Sequence, residues 1–165
     1  MSDIVFPDWW EGGWPDAELV ALDLAQYYLN LLTPTGLAVT WLPDDFADLV
    51  EAGTPVVRAY RGGMGAEGLW DPAAVQLGVI ARKRSTSWEV LEYLRQMFLS
   101  YEHGGPVRRA DGSITYVDCI EEIVGPQQLP ELNPDDRLVP ATYRIELRRP
   151  RNLPDYARIR ESLPL

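Results

Sequence analysis

The sequence predicts an α+β domain, with a small, mostly antiparallel sheet of about five strands and two main helices packed on it. Two observations lead to this prediction. Apolar residues recur at helical spacing in two stretches, one near the N-terminus and one in the middle of the chain. Five other short runs are rich in β-branched and aromatic residues, as strands are. The expected order of elements is α-β-β-β-α-β-β.

Length and composition indicate one folded domain. The chain has 165 residues, of which 46% are hydrophobic and 24% charged. We expect an aromatic arm (1–15), a single domain (16–149) and a C-terminal tail (150–165). The chain has no apolar run of the roughly 18 residues that a membrane span needs, and no signal-peptide pattern. With Cys119 as the one cysteine, we expect a cytoplasmic origin and no internal disulfide.

The arm carries three of the six tryptophans, Trp9, Trp10 and Trp14, among glycines and prolines that exclude regular structure. Large aromatic side chains need cover, because each can bury about 150 Å² or more. Two arrangements would supply it. The arm folds back over its own core, or it docks on a neighbouring subunit.

The first helix is predicted from Asp16 to Leu32, with Pro15 at its first helical position and Thr33–Pro34 ending it. Its polar residues form one narrow stripe, so that apolar residues cover an arc of about 220°. A helix on the surface of a monomer needs about half that arc. This helix is therefore either enclosed on several sides or has a flank that meets another subunit, and we favour the second arrangement.

Strands are predicted over residues 37–42, 55–61, 75–83, 114–124 and 141–149. We expect the first two to be antiparallel neighbours, and the glycine-rich stretch 61–72 to be a flexible loop. Asp111–Gly112 predicts a hairpin turn, and three prolines predict a loop over residues 125–137. Cys119, on a strand, is expected to be a small hydrophobic residue of the core.

The second main helix is predicted from a capping box formed by Thr86 and Glu89 to a left-handed cap at Gly104–Gly105. His103 is expected to cap its last turn, and Glu92 and Arg95 to form a surface ion pair. The apolar stripe that should pack on the sheet consists of Val90, Leu91, Leu94, Met97, Phe98 and Tyr101.

We find no catalytic constellation in the sequence and predict no catalytic, cofactor or metal site. His103 is the one histidine, which excludes a histidine-based metal cluster. Glu121 and Glu122 are adjacent on a strand and must point to opposite faces, so they cannot act together. The glycine-rich stretch lacks the Gly-Lys-Ser/Thr ending of a phosphate-binding loop. We therefore predict that the protein is not an enzyme.

Charge is distributed unevenly along the chain, whose net charge is −10. Residues 1–60 hold ten acidic residues and one basic residue, Arg58. This excess argues against a protein that binds nucleic acid by neutralising phosphates. It could face solvent, a basic partner, or a passage through which DNA slides without sticking. Three cations, residues 82–84, precede the second main helix, where they indicate either a solvated corner or a contact with an acidic partner.

From these features we predict a set of residues at subunit or partner interfaces. They are Trp9, Trp10, Trp14, Tyr27, Tyr28, Arg82, Lys83, Arg84, Arg148 and Arg149.

The element order resembles that of the tail terminator proteins of long-tailed bacteriophages. Three stretches also look like minor tail or tail terminator proteins from phages of actinobacteria: VFPDWWEGGWPDAELVALDL, AAVQLGVIARKRSTSWEVLEYLRQMFLSYE and EEIVGPQQLPELNPDDRLVPATYR. Fourteen of the fifteen basic residues are arginine, which fits a source with GC-rich codons.

The resemblance implies a ring, typically of six subunits, that binds the last ring of tail tube protein, stops its polymerisation and meets the head connector. DNA would pass through the lumen without specific binding. The protein would lie at the tail–neck junction of the virion, after assembly in the host cytoplasm. Two alternatives stay open at this point: a head-completion or connector (stopper) protein of the same neck, and a small enzyme or nucleic-acid-processing factor.

Overall fold

A computed structural model describes residues 4–128 and 135–164 and has the predicted α+β class. The helices are α1 (Ala17–Leu29), α2 (Phe46–Glu51), α3 (Arg84–Leu99) and α4 (Tyr156–Ser162). The strands are β1 (Leu37–Val39), β2 (Val56–Gly63), β3 (Trp70–Ile80), β4 (Gly105–Arg108), β5 (Ile114–Val124) and β6 (Val139–Arg148). Residues 129–134 of the loop predicted over 125–137, and residues 1–3 of the arm, lie outside the described residues.

The six strands form one mixed sheet in the order β1-β2-β3-β6-β5-β4. Four of the neighbouring pairs are antiparallel, as predicted. The pair β1–β2 is parallel, so the expectation of antiparallel neighbours was wrong. The physical reason is α2, which lies between the two strands and returns the chain to the end of the sheet where β1 began. The sixth strand, β4, was missed because its first residues, Gly105–Pro106, were interpreted as the end of a helix.

The glycine-rich stretch is mostly a hairpin rather than the long flexible loop that was predicted. Strand β2 continues to Gly63 and β3 begins at Trp70, so the connection spans residues 64–69. Glu67 and Trp70 pair across the base of this connection as an isolated bridge. The hairpin therefore lengthens the two strands that lead towards the N-terminal arm.

Helices α1 and α3 cover one face of the sheet, and most of the core lies beneath them. The alternation predicted for β6 is confirmed, since Tyr143, Ile145 and Leu147 are fully buried on this face. A smaller cluster lies on the opposite face, where α2 buries Val50 against β2 and β3. The remainder of that opposite face carries no helix, and we call it the open sheet face.

Helix α1 reaches both edges of the sheet, which must curl to bring them within range. At one edge the Gln26 side chain accepts a hydrogen bond from the Ala38 amide (2.8 Å) and donates one to the Gly36 carbonyl (3.1 Å). Near the other edge, Asp23 pairs with Arg109, which follows β4, at 2.6 Å. Two residues of the polar stripe thus bind the sheet edges: Gln26 supplies the hydrogen bonds that a further strand would make, and Asp23 supplies an acid partner for Arg109. Asp16 and Asn30, at the two ends of the stripe, remain exposed.

Both ends of α1 differ from the prediction. Asp16 is the N-cap, and its carboxylate accepts hydrogen bonds from the Glu18 and Leu19 amides, so Pro15 precedes the helix and does not start it. The helix ends at Leu29 and not at Leu32. A capping carboxylate at this position satisfies amides that the first turn leaves without partners, which is why the helix begins after Asp16.

The capping box predicted for α3 is not formed. The helix begins at Arg84, so Thr86 lies inside the first turn, and its N-cap Lys83 makes no capping bond through its side chain. Ser87 takes over the local hydrogen bonding. Its buried hydroxyl accepts from the Ala81 amide at 2.9 Å and so joins the end of β3 to the first turn of α3. The side chain at the N-cap, Lys83, carries only donors and therefore cannot accept hydrogen bonds from the amides of the first turn.

The predicted end of α3 was also too late. The helix ends at Leu99 with Ser100 as its C-cap, and His103 lies exposed beyond it, so His103 does not cap the last turn. Gly104 has a positive φ of 76°, and a Cβ there would lie 2.5 Å from the Val117 carbonyl oxygen. Only glycine fits this close approach, which brings the chain alongside β5.

Cys119 is half-buried and not a core residue, which corrects the prediction. The register of β5 against β6 shifts between Val117 and Cys119, and Cys119 then pairs with Glu146 on the open sheet face. The bulge moves the thiol out of the helix-covered core. Partial burial, with Glu121 nearby, raises the pKa of the Cys119 thiol.

Candidate assembly surfaces

The N-terminal arm packs against the C-terminal tail. We call this group the arm–tail cluster; it comprises Phe6, Trp9, Trp10, Trp14, Arg149 and Tyr156. The Trp10 ring stacks on Tyr156 at a centroid distance of 5.3 Å, and Trp9 meets the same ring edge-on at 6.3 Å. The Arg149 guanidinium lies 5.5 Å from the Trp14 ring centroid, a cation–π distance.

Two hydrogen bonds fix the position of the N-terminal arm relative to the C-terminal tail. The Tyr156 hydroxyl donates to the Gly12 carbonyl at 2.7 Å and accepts from the Glu11 amide at 3.1 Å. Helix α4 is capped by the Asp155 carboxylate, which accepts from two amides of its first turn. Trp9 and Trp10 nevertheless remain 38% and 42% exposed. The arm is thus partly covered by its own chain, with outer ring faces left over for a neighbour.

The open sheet face presents an arginine between two aromatic rings. The Arg58 guanidinium lies 5.7 Å from the Trp41 ring centroid and 5.3 Å from that of Tyr60. Its Nε is buried without a hydrogen-bond partner, and Arg58 has no ion pair among the described residues. Trp41, which follows β1, is 77% exposed. Trp, Tyr and Arg are the residue types most enriched at binding hot spots.

Other arginines of the open sheet face have carboxylate partners. Arg144 donates to Glu121 at 3.2 Å and to Glu146 at 2.8 Å, while Arg148 binds both oxygens of Asp118 at 3.1 Å. Glu122, in contrast, accepts from α3 on the covered face, which confirms that Glu121 and Glu122 point to opposite sides.

The outward side of α1 carries exposed apolar residues, Leu19 and Tyr27 among them; we call it the α1 flank. The two predicted interface residues of this helix, Tyr27 and Tyr28, point in different directions. Tyr27 points outwards and is 56% exposed, whereas Tyr28 turns inwards and meets the Tyr93 ring edge-on. Tyr93 donates from its hydroxyl to the Tyr28 carbonyl at 3.1 Å. Tyr28 thus packs α1 on α3.

Arg82, Lys83 and Arg84 form a basic corner at the start of α3. Arg82 lies 3.8 Å from Glu51 of α2, a long and exposed ion pair. Lys83 and Arg84 have no ion pair within the part of the chain that the structure describes. Exposed pairs of this kind contribute about 1 kcal/mol or less. The corner is therefore a largely unneutralised cationic surface, far from the arm–tail cluster along the sheet.

A cavity of about 390 Å³ lies where β3 begins and β6 ends, and we call it the arginine pocket. It is lined by Leu69, Trp70, Arg148, Arg149, Pro150, Arg151 and Leu153. Arg148 is held by Asp118, and Arg149 by the arm–tail cluster. Arg151 is exposed and has no ion pair among the described residues. No carboxylate belongs to this lining, so the pocket is suited to an acidic ligand.

Burial and hydrogen bonds within the fold account for the pKa shifts of Tyr143 and Asp135. Burial raises the pKa of the Tyr143 hydroxyl, which has no hydrogen-bond partner beneath α3. Hydrogen bonds from Arg137 lower the pKa of Asp135, and Arg137 also reaches Glu51 at 2.7 Å. Arg137 therefore ties α2 to the segment before β6. These shifts belong to the packing of helices on the sheet.

Sequence reasoning grouped some of these residues and missed others. The structure brings Trp9, Trp10, Trp14 and Arg149 together and leaves the basic corner apart from them. Sequence reasoning did not include Trp41 among the interface residues, because this residue was assigned to a strand over residues 37–42. The strand ends at Val39. A usable signal was present, since Trp41 stands two residues before Pro43, which is followed by two aspartates.

Two further observations concern other kinds of site. Within residues 4–128 and 135–164, no group of three or more histidine, cysteine or acidic side chains is arranged to hold a metal ion. None of the described helices has the length and apolar character to cross a membrane.

Comparison with known proteins identifies the family. The sequence model of a family described as phage tail termination protein matches residues 13–154. A search of curated proteins found no match. The matched range runs from the arm to the tail and includes all six strands and helices α1 to α3. Since the match covers most of the chain, this protein belongs to the phage tail termination protein family.

Proposed function

We propose that the protein forms a ring of six subunits on the last ring of tail tube protein, stops its polymerisation and joins the tail to the head connector. The match over residues 13–154 carries this proposal, because membership of the family gives the protein a structural role in phage tail assembly and implies that it is not an enzyme. The ring, its stoichiometry and its partners are the parts that we add.

A closed ring needs two different lateral surfaces on each subunit, because its contacts are heterologous. Several surfaces of this protein fit that need. The arm–tail cluster lies at one end of the central strands, whereas Trp41 and the α1 flank lie elsewhere. Each presents large apolar side chains next to charged ones, the composition typical of interface centres.

The predicted interface residues enter this proposal according to their exposure. Trp9, Trp10, Tyr27, Lys83 and Arg84 present side-chain surface to solvent and are candidates for direct contact. Trp14, Tyr28 and Arg149 contact neighbouring groups of their own chain and would hold these candidates in position. Arg82 and Arg148 already have acid partners within the chain and contribute less free charge.

The acidic excess suits a ring through which DNA moves. The net charge of −10, with ten acidic residues in the first 60, repels phosphates and opposes sticking to the DNA. The protein would then lie at the tail–neck junction of the virion after assembly in the host cytoplasm. The arginine-rich composition supports a phage of actinobacteria as the source.

Electron microscopy of lysates from a phage that lacks this gene tests the proposal. Overlong tails without heads are expected, because tube polymerisation would have lost its stop. Tails of normal length beside heads that leak DNA would assign the protein to the connector instead. Ordinary infectious virions would contradict a role in the neck. Complementation with the intact gene is the control.

A further inference from the structure

Trp41 and the residues that follow it form a projecting acidic feature. The Trp41 ring is 77% exposed, and the Arg58 guanidinium lies behind it at 5.7 Å from the ring centroid. Asp44 and Asp45 follow it, both exposed and both without an ion pair among the described residues. Asp45 is the N-cap of α2 but makes no capping bond through its side chain. An exposed tryptophan followed closely in the chain by two carboxylates is suited to anchor a partner that offers an apolar pocket and positive charge.

The arginine pocket has complementary chemistry. Trp70, Pro150 and Leu153 provide apolar lining, and Arg149 and Arg151 provide positive charge. Its volume of about 390 Å³ lies within the range of sites that take a small ring system, about 300–1,000 Å³. Arg151 in particular is an exposed cation that has no ion pair among the described residues.

We infer that Trp41 of one copy inserts into the arginine pocket of the next copy, with Asp44 and Asp45 against Arg149 and Arg151. This inference rests on the proposed function, since it names the lateral contact of the ring. Shape and charge favour a second copy as the occupant, because the chain itself supplies both the aromatic anchor with its acids and the basic pocket.

The strand register shows that one chain cannot satisfy both features by itself. Arg58, under Trp41, pairs with Gly78 of β3, whereas Arg148, at the pocket, pairs with Trp70. Eight residues of extended strand separate these positions, roughly 26 Å. Two complementary surfaces at separate places on one subunit give a head-to-tail contact, which closes into a ring when the rotation allows.

A second charge pair would fix the register of this contact. Arg58 lacks an acid partner, and Glu67 lies in the hairpin beside the arginine pocket, exposed and with no ion pair among the described residues. When Trp41 enters the pocket of the next copy, that copy's hairpin carboxylate approaches the guanidinium behind the ring. Opposite charges at both margins disfavour a shifted register.

Cross-linking in assembled tails tests the contact. A phage carrying Pro43→Cys and Asn152→Cys, which leave the proposed charge pairs intact, in a Cys119→Ser background is treated with a short bis-maleimide, and the tails are analysed by denaturing gel and mass spectrometry. We expect a ladder of multimers joined between positions 43 and 152 of different copies. Each single-cysteine variant should give no ladder. Cross-links from these positions to another tail protein, and not to a second copy, would overturn the inference.

Cross-linking of carboxylates with a dihydrazide and a carboxyl activator, applied to the same tails, separates this inference from the proposed function, because the chain has 25 acidic residues but a single lysine. A dihydrazide ladder without a bis-maleimide ladder would mean that a ring exists but uses other surfaces. Absence of both ladders would contradict the ring itself. The two failures are therefore distinguishable.

Charge reversal provides a second measurement. Asp45→Arg and Arg151→Glu should each abolish the dihydrazide ladder, and the two together should restore it, because the pair is re-formed with opposite sign. Trp41→Ala should also abolish it, whereas Trp88→Ala, which alters an exposed ring on α3 away from both surfaces, should not. A double reversal that assembles no better than the single ones would overturn the inference, as would an unchanged ladder in Trp41→Ala.

Discussion

Among the described residues, the two faces of the sheet differ at one arginine: Arg144 and Arg148 of the open sheet face are paired with carboxylates, as are the arginines under the helices, but Arg58 is not. On the helix-covered face, Arg61 binds both oxygens of Asp71 at 2.8 and 3.0 Å, and Asp71 is only 5% exposed. Arg109 binds Asp23 beneath α1 at 2.6 Å. On the open sheet face, Arg58 rests on two aromatic rings and has no carboxylate among the described residues.

This difference distinguishes the arginines whose ion pairs stabilise the fold from an arginine that remains available to a partner. A charge removed from water must be paired, or it destabilises the fold by several kcal/mol. The arginines under the helices meet this condition within the chain. The Arg58 Nε is buried without a partner among the described residues, and we propose that a contact in the assembled tail completes it.

The largest effect is expected in the covered core, from Phe98→Ala. The Phe98 ring is fully buried and lies 5.2 Å from the ring of Tyr143. Its removal leaves a cavity under α3 and should lower the free energy of unfolding by about 3–5 kcal/mol. Chemical denaturation measures this. Trp88→Ala, on the exposed side of the same helix, is the matched control and should change stability by less than about 1 kcal/mol. Equal losses in both variants would contradict the assignment of faces.

Much of the covered face could be predicted from sequence, because its apolar residues follow helix and strand periods. The positions Val90, Leu91, Leu94 and Phe98 of the α3 stripe and the alternation of Tyr143, Ile145 and Leu147 are local patterns, and both are confirmed. Met97, also assigned to the stripe, is only partly buried. The parallel pairing of β1 and β2 was missed because it depends on a short helix without a clear pattern, α2. The bulge that displaces Cys119 depends on cross-strand register, which no single segment encodes.

The next largest effect is expected for the ion pair that ties α1 to the sheet edge. Asp23→Ala leaves the Arg109 guanidinium without its acid in a site where both side chains are mostly buried. We expect a loss of about 2–3 kcal/mol, somewhat below the range for fully buried pairs. The double variant Asp23→Ala/Arg109→Ala should lose less than the sum of the single variants, as measured by a double-mutant cycle. Strict additivity would mean that the two residues do not interact.

A smaller stability effect is expected on the open sheet face, from Arg58→Ala. Cation–π contacts at exposed sites contribute about 0.5–1 kcal/mol, so the isolated protein should lose no more than that. Assembly into tails should suffer far more, measured by the amount of this protein in purified particles. A large loss of stability without an assembly defect would reverse the roles assigned to the two faces.

The smallest effect near neutral pH is expected for Tyr143→Phe. The Tyr143 hydroxyl is buried without a partner, so its removal should leave stability within about 1 kcal/mol of the original or raise it. Burial raises the pKa of Tyr143, so the folded state holds this proton more tightly than the unfolded state. Stability should therefore fall as pH rises above about 10, the ordinary tyrosine value.

Phenylalanine has no proton to lose, so Tyr143→Phe should reduce this alkaline loss. Unfolding by denaturant at neutral pH and above pH 10 measures the difference. Identical pH profiles for the two proteins would show that Tyr143 does not carry the effect.

The assembly surfaces were less predictable than the core, for a physical reason. Exposed aromatic residues follow no period, because their partners lie on another chain. The arm was recognised from its dense tryptophans, but its partner Tyr156 stands some 140 residues away in the sequence. Trp41, Arg58 and Tyr60 come together only when β1 and β2 pair, so their stacking could not be inferred from spacing alone.

The most direct test of the division between the two faces is hydroxyl-radical footprinting of free protein and of purified tails, analysed by mass spectrometry. We predict that the oxidation of Trp41 and Tyr60 falls strongly on assembly. Exposed Trp88 should keep its reactivity, and Phe98 should stay unreactive in both states. Unchanged oxidation of Trp41 in assembled tails would contradict the account, because the open sheet face would then have no partner there.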